Sequence, residues 1–187
     1  MGNTFIISDT HFGHVGVTKF FTHSGEKMRP WDNTEEMDEA LVANWNKVVR
    51  PKDKVIHLGD VVINRRALPI LARLNGTKVL VKGNHDVFRL DEYTPHFKDI
   101  LGCKQYDDYI LSHIPVHENQ LYRFKGNIHG HMHNECVMRA CTWEDDGGHT
   151  FEYNEEDRRY FCASVERIDY TPIAWEEVKK IMEGRGN

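Results

Sequence analysis

Three short aliphatic runs in the first half of the chain each stop at a polar, glycine-bearing turn. "TFIIS" (Thr4 to Ser8) leads into "DTHFGH", "KVIHL" (Lys54 to Leu58) into "GD", and "KVLVK" (Lys78 to Lys82) into "GNHD". Runs this short and this continuously apolar suit strands covered on both faces, which belong to sheets flanked by helices. Helical patterns fall between them. Met37, Leu41, Trp45 and Val48 recur at helical spacing behind Asn33, with Glu36 placed to complete a capping box. A second helix is predicted from about Arg65 to Leu74 and a closing one from Trp175 to Met182. "YILSH" (Tyr109 to His113), "NIHGHMH" (Asn127 to His133) and "YFCASVERI" (Tyr160 to Ile168) read as further strands. The β–α–β order predicts an α/β sandwich.

A chain of 187 residues is most economically a single domain, 1–187, with no separate cap domain. Residues 134–159, polar and carrying "DDGG", are expected to form a loop or hairpin excursion. The formal net charge of −5 supplies no global basic field, so long duplex nucleic acid is not an expected partner. Neither a signal peptide nor an apolar run of membrane length is found, and Cys103, Cys136, Cys141 and Cys162 form no CxxC pair. These features predict a cytoplasmic protein without membrane association. The twelve histidines stand out, because imidazole is the commonest metal ligand among side chains.

In open α/β sheets ligands gather outside the carboxyl ends of the strands. Asp9 and His11 follow the first strand, Asp60 the second, Asn84 and His85 the third, His113 a fourth, and His131 with His133 a fifth. Residues two apart on an extended segment project to one side, so Asp9 and His11 are expected to share a face, as are His131 and His133. A set of Asp, His and Asn without cysteine suits hard-to-borderline divalent ions. Seven ligands exceed the needs of one ion and suit two that share a carboxylate.

"DTH", "GD", "GNHD", a lone histidine on a later strand and "GHMH", in that order, resemble the calcineurin-like metallophosphoesterase superfamily, in particular its small single-domain bacterial and bacteriophage members. The resemblance runs from Phe5 to about Glu166. It implies a four-layer α/β/β/α sandwich of two mixed sheets flanked by helices, with a dinuclear site. Asp9, His11, Asp60 and His133 would hold one ion, and Asp60, Asn84, His113 and His131 the other. The ions are expected to be Mn²⁺, with Fe, Zn²⁺ or Ni²⁺ as alternatives. His85 matches the family's catalytic histidine, which would assist the leaving group while a metal-bridging hydroxide attacks phosphorus in line. The expected substrate is a small phosphorylated molecule such as a nucleotide, more readily a phosphodiester than a monoester. A phosphatase, an end-processing nuclease and a non-catalytic metal-bound scaffold are the alternatives.

The chain departs from the resemblance after Asp60, where "GDVVINR" replaces the "GDxxDRG" of the phosphoprotein phosphatases. Ile63 stands where a carboxylate would orient His85, which leaves Asp86 as the substitute. Of the other candidates, His129 is read as structural or as support for the ligands, and His57 as a satisfied core residue. His14 is balanced between substrate contact and packing. Arg29, Arg65 and Arg66 are possible phosphate contacts but are more simply read as solvated, while Phe12, Trp31 and Trp143 are candidate stacking partners for a base. His23, His96 and His149 carry no functional expectation.

Overall fold

The computed structural model describes residues 2–185; the outermost positions of the expected domain, 1 and 186–187, lie outside them. The chain builds two mixed sheets. In the first, β1 (Thr4–Ile7), β2 (Lys54–His57), β3 (Thr77–Val81) and β4 (Asp99–Leu101) run parallel. The second contains β5 (Cys103–Tyr106), β6 (Tyr109–Ser112), β7 (Gly126–His129) and β10 (Tyr160–Cys162), in the order β10-β7-β6-β5. Between β7 and β10 the chain makes a separate hairpin of β8 (Met138–Glu144) and β9 (Thr150–Glu156). β11 (Ile173–Ala174) returns antiparallel to the outer edge of β1, so the first sheet reads β11-β1-β2-β3-β4. This is the expected sandwich of two mixed sheets flanked by helices.

Helix α1 (Thr34–Val48) starts where Asn33 accepts a hydrogen bond from the Glu36 N–H at 2.8 Å, the Asn33 half of the expected capping box. Its buried stripe, Met37, Leu41 and Trp45, packs on the first sheet, where the Trp45 indole stacks on His57. Burying an aliphatic or aromatic side chain of this size contributes about 1.5–3 kcal/mol, so this stripe is core. Helix α2 (Leu90–Tyr93) is a single turn, and α3 (Trp175–Gly184) sets Trp175 edge-on against Tyr106 and Tyr109 of the second sheet.

Three expectations are corrected. The segment expected as a helix from Arg65 to Leu74 is a run of 3₁₀ turns over Arg65–Arg73, because Pro69 within it lacks the N–H that an α-helix needs. "NIHGHMH" is a strand only to His129, after which the backbone turns into the left-handed region. "YFCASVERI" is a strand only to Cys162, followed by a parallel bridge between Ser8 and Ser164 and a short 3₁₀ turn at Val165–Arg167. The strands β4 and β5 were not legible in the sequence, since "DIL" and "CKQY" are too short and too polar to show a period. Within residues 134–159 the β8–β9 hairpin occupies Met138–Glu144 and Thr150–Glu156.

The Ser8–Ser164 bridge has a consequence for the site. The N–H of Ser8 donates to the Ala163 carbonyl at 2.9 Å, so the two sheets touch at their carboxyl ends and bring the turns after β1, β2, β7 and β10 together.

Candidate metal centre

The ligand-bearing turns leave their strands abruptly. Asp9, His11, Asp60, His131 and His133 all take positive φ, between 50° and 69°. Non-glycine residues pay roughly 1–2 kcal/mol each for that conformation. The turns hold it because they stay bonded to one another: Asp9 N–H to Gly59 O at 3.0 Å, His11 N–H to Asp60 O at 3.0 Å and Phe12 N–H to Val61 O at 2.9 Å. The expected alternation on extended backbone is therefore wrong in mechanism. His131 and His133 do not share a face. They divide between two groups of facing ligand atoms, Asp9 with His11 and His133, and Asp60 with His113 and His131.

Each main ligand candidate uses one polar atom to brace itself and aims another at the centre. Asp9 Oδ2 accepts from the Ser164 hydroxyl at 2.8 Å and the His131 N–H at 2.9 Å, whereas Oδ1 is buried without a partner among the described residues. Asp60 Oδ1 accepts from the His85 N–H at 2.8 Å, and Oδ2 lies 3.4 Å from His113 Nε2 and 3.8 Å from His11 Nε2. Asp60 thus stands between the two groups. His113 Nδ1 donates to the Leu58 carbonyl at 2.8 Å, which directs Nε2 toward Asp60 and toward Asn84 Oδ1, 2.8 Å away. His11 is buried with both ring nitrogens unpartnered among the described residues.

A set of orphaned, buried oxygen and nitrogen atoms costs free energy unless something satisfies it. Divalent cations do so, and the donor types here are those that bind them. The residues present therefore fit two divalent ions, the first among Asp9, His11 and His133, the second among Asp60, His113 and His131 with the adjacent Asn84 amide oxygen.

The charges respond to this crowding. Burial opposes ionisation of Asp9, but the facing His11 and His133 imidazoles outweigh it and hold the carboxyl well below the usual range. Asp60 is likewise depressed against its burial, chiefly by His113. Burial lowers His11, while His113 is raised because Asp60 and Asp9 overcome its burial.

Close approach excludes side chains at two glycines. A Cβ on Gly130 would lie 1.9 Å from Ser8 Oγ and 2.5 Å from Asp9 Oδ2, and one on Gly83 would lie 2.1 Å from Asp60 Oδ1.

The other sequence candidates sort as follows. His85 is exposed at the edge of the centre, its ring centroid 5.7 Å from that of His11. Asp86 does not orient it. Its buried carboxylate is consumed by the N–H groups of Asp60, Val61 and Gly83 at 2.8–3.0 Å and serves to tie the β2 and β3 turns together. His57 is a satisfied core residue, between Thr10 Oγ1 and the Gly59 N–H, and burial drives its pKa down to about 3. His129 is buried against the Gly130 carbonyl and is lowered by burial to about 4. His14 packs edge-on between His11 and Phe20, and its Nδ1 accepts from the Val17 N–H. Phe12 is core, Trp31 packs on Tyr170, and Trp143 stacks on Phe151 in the β8–β9 hairpin.

Arg29 is neither solvated nor a phosphate contact. Its fully buried guanidinium donates to the carbonyls of Asp9 at 2.6 Å and Thr10 at 2.9 Å and to Glu166 Oε1 at 2.8 Å. Glu166 Oε1 lies 3.1 Å from His133 Nδ1, and this carboxylate, with Arg29, braces the first ligand group from behind. Burial opposes its charge, and Arg29 and His133 outweigh the burial to hold Glu166 below the usual carboxyl value. The sequence reading missed Glu166 and Ser164. Strand β10 ends at Cys162, short of the Ile168 expected from the sequence, so the sequence puts both residues inside a strand, whereas they lie in the turn that follows it.

The model of the calcineurin-like phosphoesterase family matches residues 3–177. The chain belongs to that family, which makes it a metal-dependent phosphoesterase. An uncharacterized protein of Methanocaldococcus jannaschii is 34% identical, over 98% of this chain and 93% of that one. The Gene 66 protein of Mycobacterium phage L5 is 33% identical, over 74% of this chain and 81% of its own. Among solved structures, a protein of unknown function from Aquifex aeolicus aligns with a TM-score of 0.66 at 23% identity, covering 97% of this chain and 100% of that one, and shares the fold. Among the described residues no helix is long and apolar enough to cross a membrane.

Proposed function

We propose that this chain hydrolyses phosphodiesters of small molecules, with Asp9, His11, Asp60, Asn84, His113, His131 and His133 as ligands for two Mn²⁺ ions and His85 as the catalytic acid. The observation that carries this reading is the position of Asp60 between two facing ligand groups, with His85 exposed beside them. When bound, such ions neutralise the phosphoryl oxygens and make water acidic enough to attack at neutral pH. The residues of this chain do the rest. Asp60 Oδ1 fixes the backbone of His85, so its imidazole stands over the site's rim, where it can give a proton to the departing alkoxide. Asp86 and Arg29 hold the turns that carry these groups.

Two features favour a diester over a monoester. A monoester brings a second negative charge, yet Arg29 is spent on backbone carbonyls and Glu166, and Arg65 pairs with Glu92. Exposed apolar residues also follow the same strand ends, among them Val15, Val87 and Ile114, and suit a second ester substituent. Four free thiols fit the reducing cytoplasm.

The test is turnover of bis-p-nitrophenyl phosphate against p-nitrophenyl phosphate, with Mn²⁺ or with EDTA, in wild type, Asp60→Asn and His85→Ala. Mn²⁺-dependent cleavage of the diester, abolished in Asp60→Asn, is expected. Turnover confined to the monoester would refute the diester assignment. His85→Ala should lose about 10²–10⁴-fold on an alkyl diester and far less on p-nitrophenyl esters, whose leaving group needs no proton.

A further inference from the structure

Beside His133 lies a groove of about 290 Å³ walled by Phe21, Met28 and Met132, with Thr22 and Asn134 among the polar residues that line it. The local chain explains it. Thr22 N–H bonds to Glu26 O and Met28 N–H to Phe20 O, both at 2.8 Å, and Phe21 bridges Lys27, so residues 20–28 form a small hairpin. Neighbouring residues on extended backbone face opposite ways. Phe20 accordingly turns to His14, ring centroids 5.9 Å apart, and Phe21 turns into the groove, 64% exposed. Met132 enters from the other side, on the turn between His131 and His133. His23 Nδ1 and Glu135 Oε1, 2.8 Å apart, tie the two walls together.

We propose that this groove seats the base of a nucleoside whose phosphate lies at the metal centre, so that nucleoside phosphoesters are the preferred substrates. The proposal rests on the phosphoester reading above. His133 belongs both to the groove and to the first ligand group, which makes the two sites contiguous. The volume sits at the small end of ligand pockets, roughly 300–1,000 Å³, and suits one ring system rather than a polymer or a long acyl chain. Thioethers and a phenyl ring are polarizable walls that take the face of any base. The Asn134 amide offers donors and an acceptor to a base edge, which an acyl chain would leave unpaired, whereas the Thr22 hydroxyl is taken up by Ser24 and the Glu26 N–H. Glu135 disfavours a second anionic group in the groove and accepts a neutral base.

The test is calorimetric binding of adenosine 5′-monophosphate, ribose 5-phosphate and octyl phosphate to the Mn²⁺-loaded protein, in wild type, Phe21→Ala and Phe21→Trp. Phe21 is exposed, so its replacement does not disturb the core. The nucleotide should bind about tenfold more tightly than ribose 5-phosphate, as base stacking on an aromatic side chain predicts. That ratio should fall to within about threefold in Phe21→Ala and persist in Phe21→Trp. Equal affinity of both sugar phosphates for the wild type would overturn the base site and leave the phosphoesterase reading standing. So would a ratio that survives in Phe21→Ala. An equal gain for octyl phosphate would overturn it in favour of a general apolar slot. Failure of every phosphate to bind would overturn the base site, while the bis-p-nitrophenyl phosphate assay above decides the phosphodiesterase reading separately.

Discussion

Replacing Arg29 by methionine tests how the first ligand group is held in place. The wild-type guanidinium is fully buried, contacts the Asp9 and Thr10 carbonyls and pairs with a Glu166 side chain that is 1% exposed. Methionine fills similar volume without charge. It leaves two carbonyls and a buried carboxylate without their donor, and stranding one member of a buried ion pair costs about 3–5 kcal/mol. For a chain of this size each kcal/mol shifts the Tm by about 2–4 °C, so the metal-free variant should melt about 6–20 °C lower. The pair also sets a pH signature. Glu166 is held below its ordinary value, so its contribution is present above pH 4.5 and lost as the pH falls through the depressed folded value. The gap between wild type and variant should therefore narrow in acid. A second replacement, Glu166→Met in the Arg29→Met background, removes the stranded charge and should recover about half of the loss. Thermal and chemical denaturation of the three proteins without metal, across pH 3–7, measure all of this. A loss below about 1 kcal/mol in Arg29→Met would refute the bracing role, because that is the scale of a surface ion pair.

Further outcomes follow from the same geometry. Gly130→Ala drives a methyl group into Ser8 and Asp9, so elemental analysis should find the first ion lost before the second, and wild-type stoichiometry would contradict the close approach. Asp38 is raised to about 6, chiefly by burial. Its neutral form fits the fold better, so the stability tied to it is complete below the unfolded value and is lost as pH rises through about 6. The Tm of wild type should consequently fall from pH 4 to pH 7 relative to Asp38→Asn, and parallel pH profiles would sink that assignment. Excising residues 138–156 in favour of a short glycine–serine link should leave the Tm within a few degrees, since β8 and β9 pair only with each other and most of their residues are exposed. A collapse of the fold would show that the hairpin supports the sheets.

Much of the site was legible because its residues obey a positional rule. Asp9, Asp60, Asn84 and His113 each follow a continuous apolar run, and such runs could be recognised without a partner strand in view. The order of those runs also exposed the α/β character. What was not legible depends on the third dimension. Arg29 looks like any surface arginine until the packing of α1 and the turn after β1 closes over it. Asp86 could not be assigned from its place beside His85, since two of its partners, Asp60 and Val61, lie on the β2 turn, 26 positions earlier in the case of Asp60. The two-residue spacing of His131 and His133 suggested extended backbone, whereas left-handed φ values send the rings to different groups. Local spacing is silent about such turns, because tertiary hydrogen bonds rather than propensity hold them.

The return of β11 to the free edge of β1 sets an order of events during synthesis. Domains gain structure as the chain leaves the ribosome, amino-terminal segments first. Here the first strand stays unpaired on one side until Ile173 and Ala174 emerge, and Asp9 meets Ser164 only once the chain has grown by the 155 positions that separate them. Asp9 and His11, although made well before them, cannot be assembled with His133 and Glu166 until those residues have emerged. Assembly of the first ligand group is thereby postponed until the chain through Glu166 has emerged, and a product truncated before His133 should carry the early histidines without gaining hydrolytic competence.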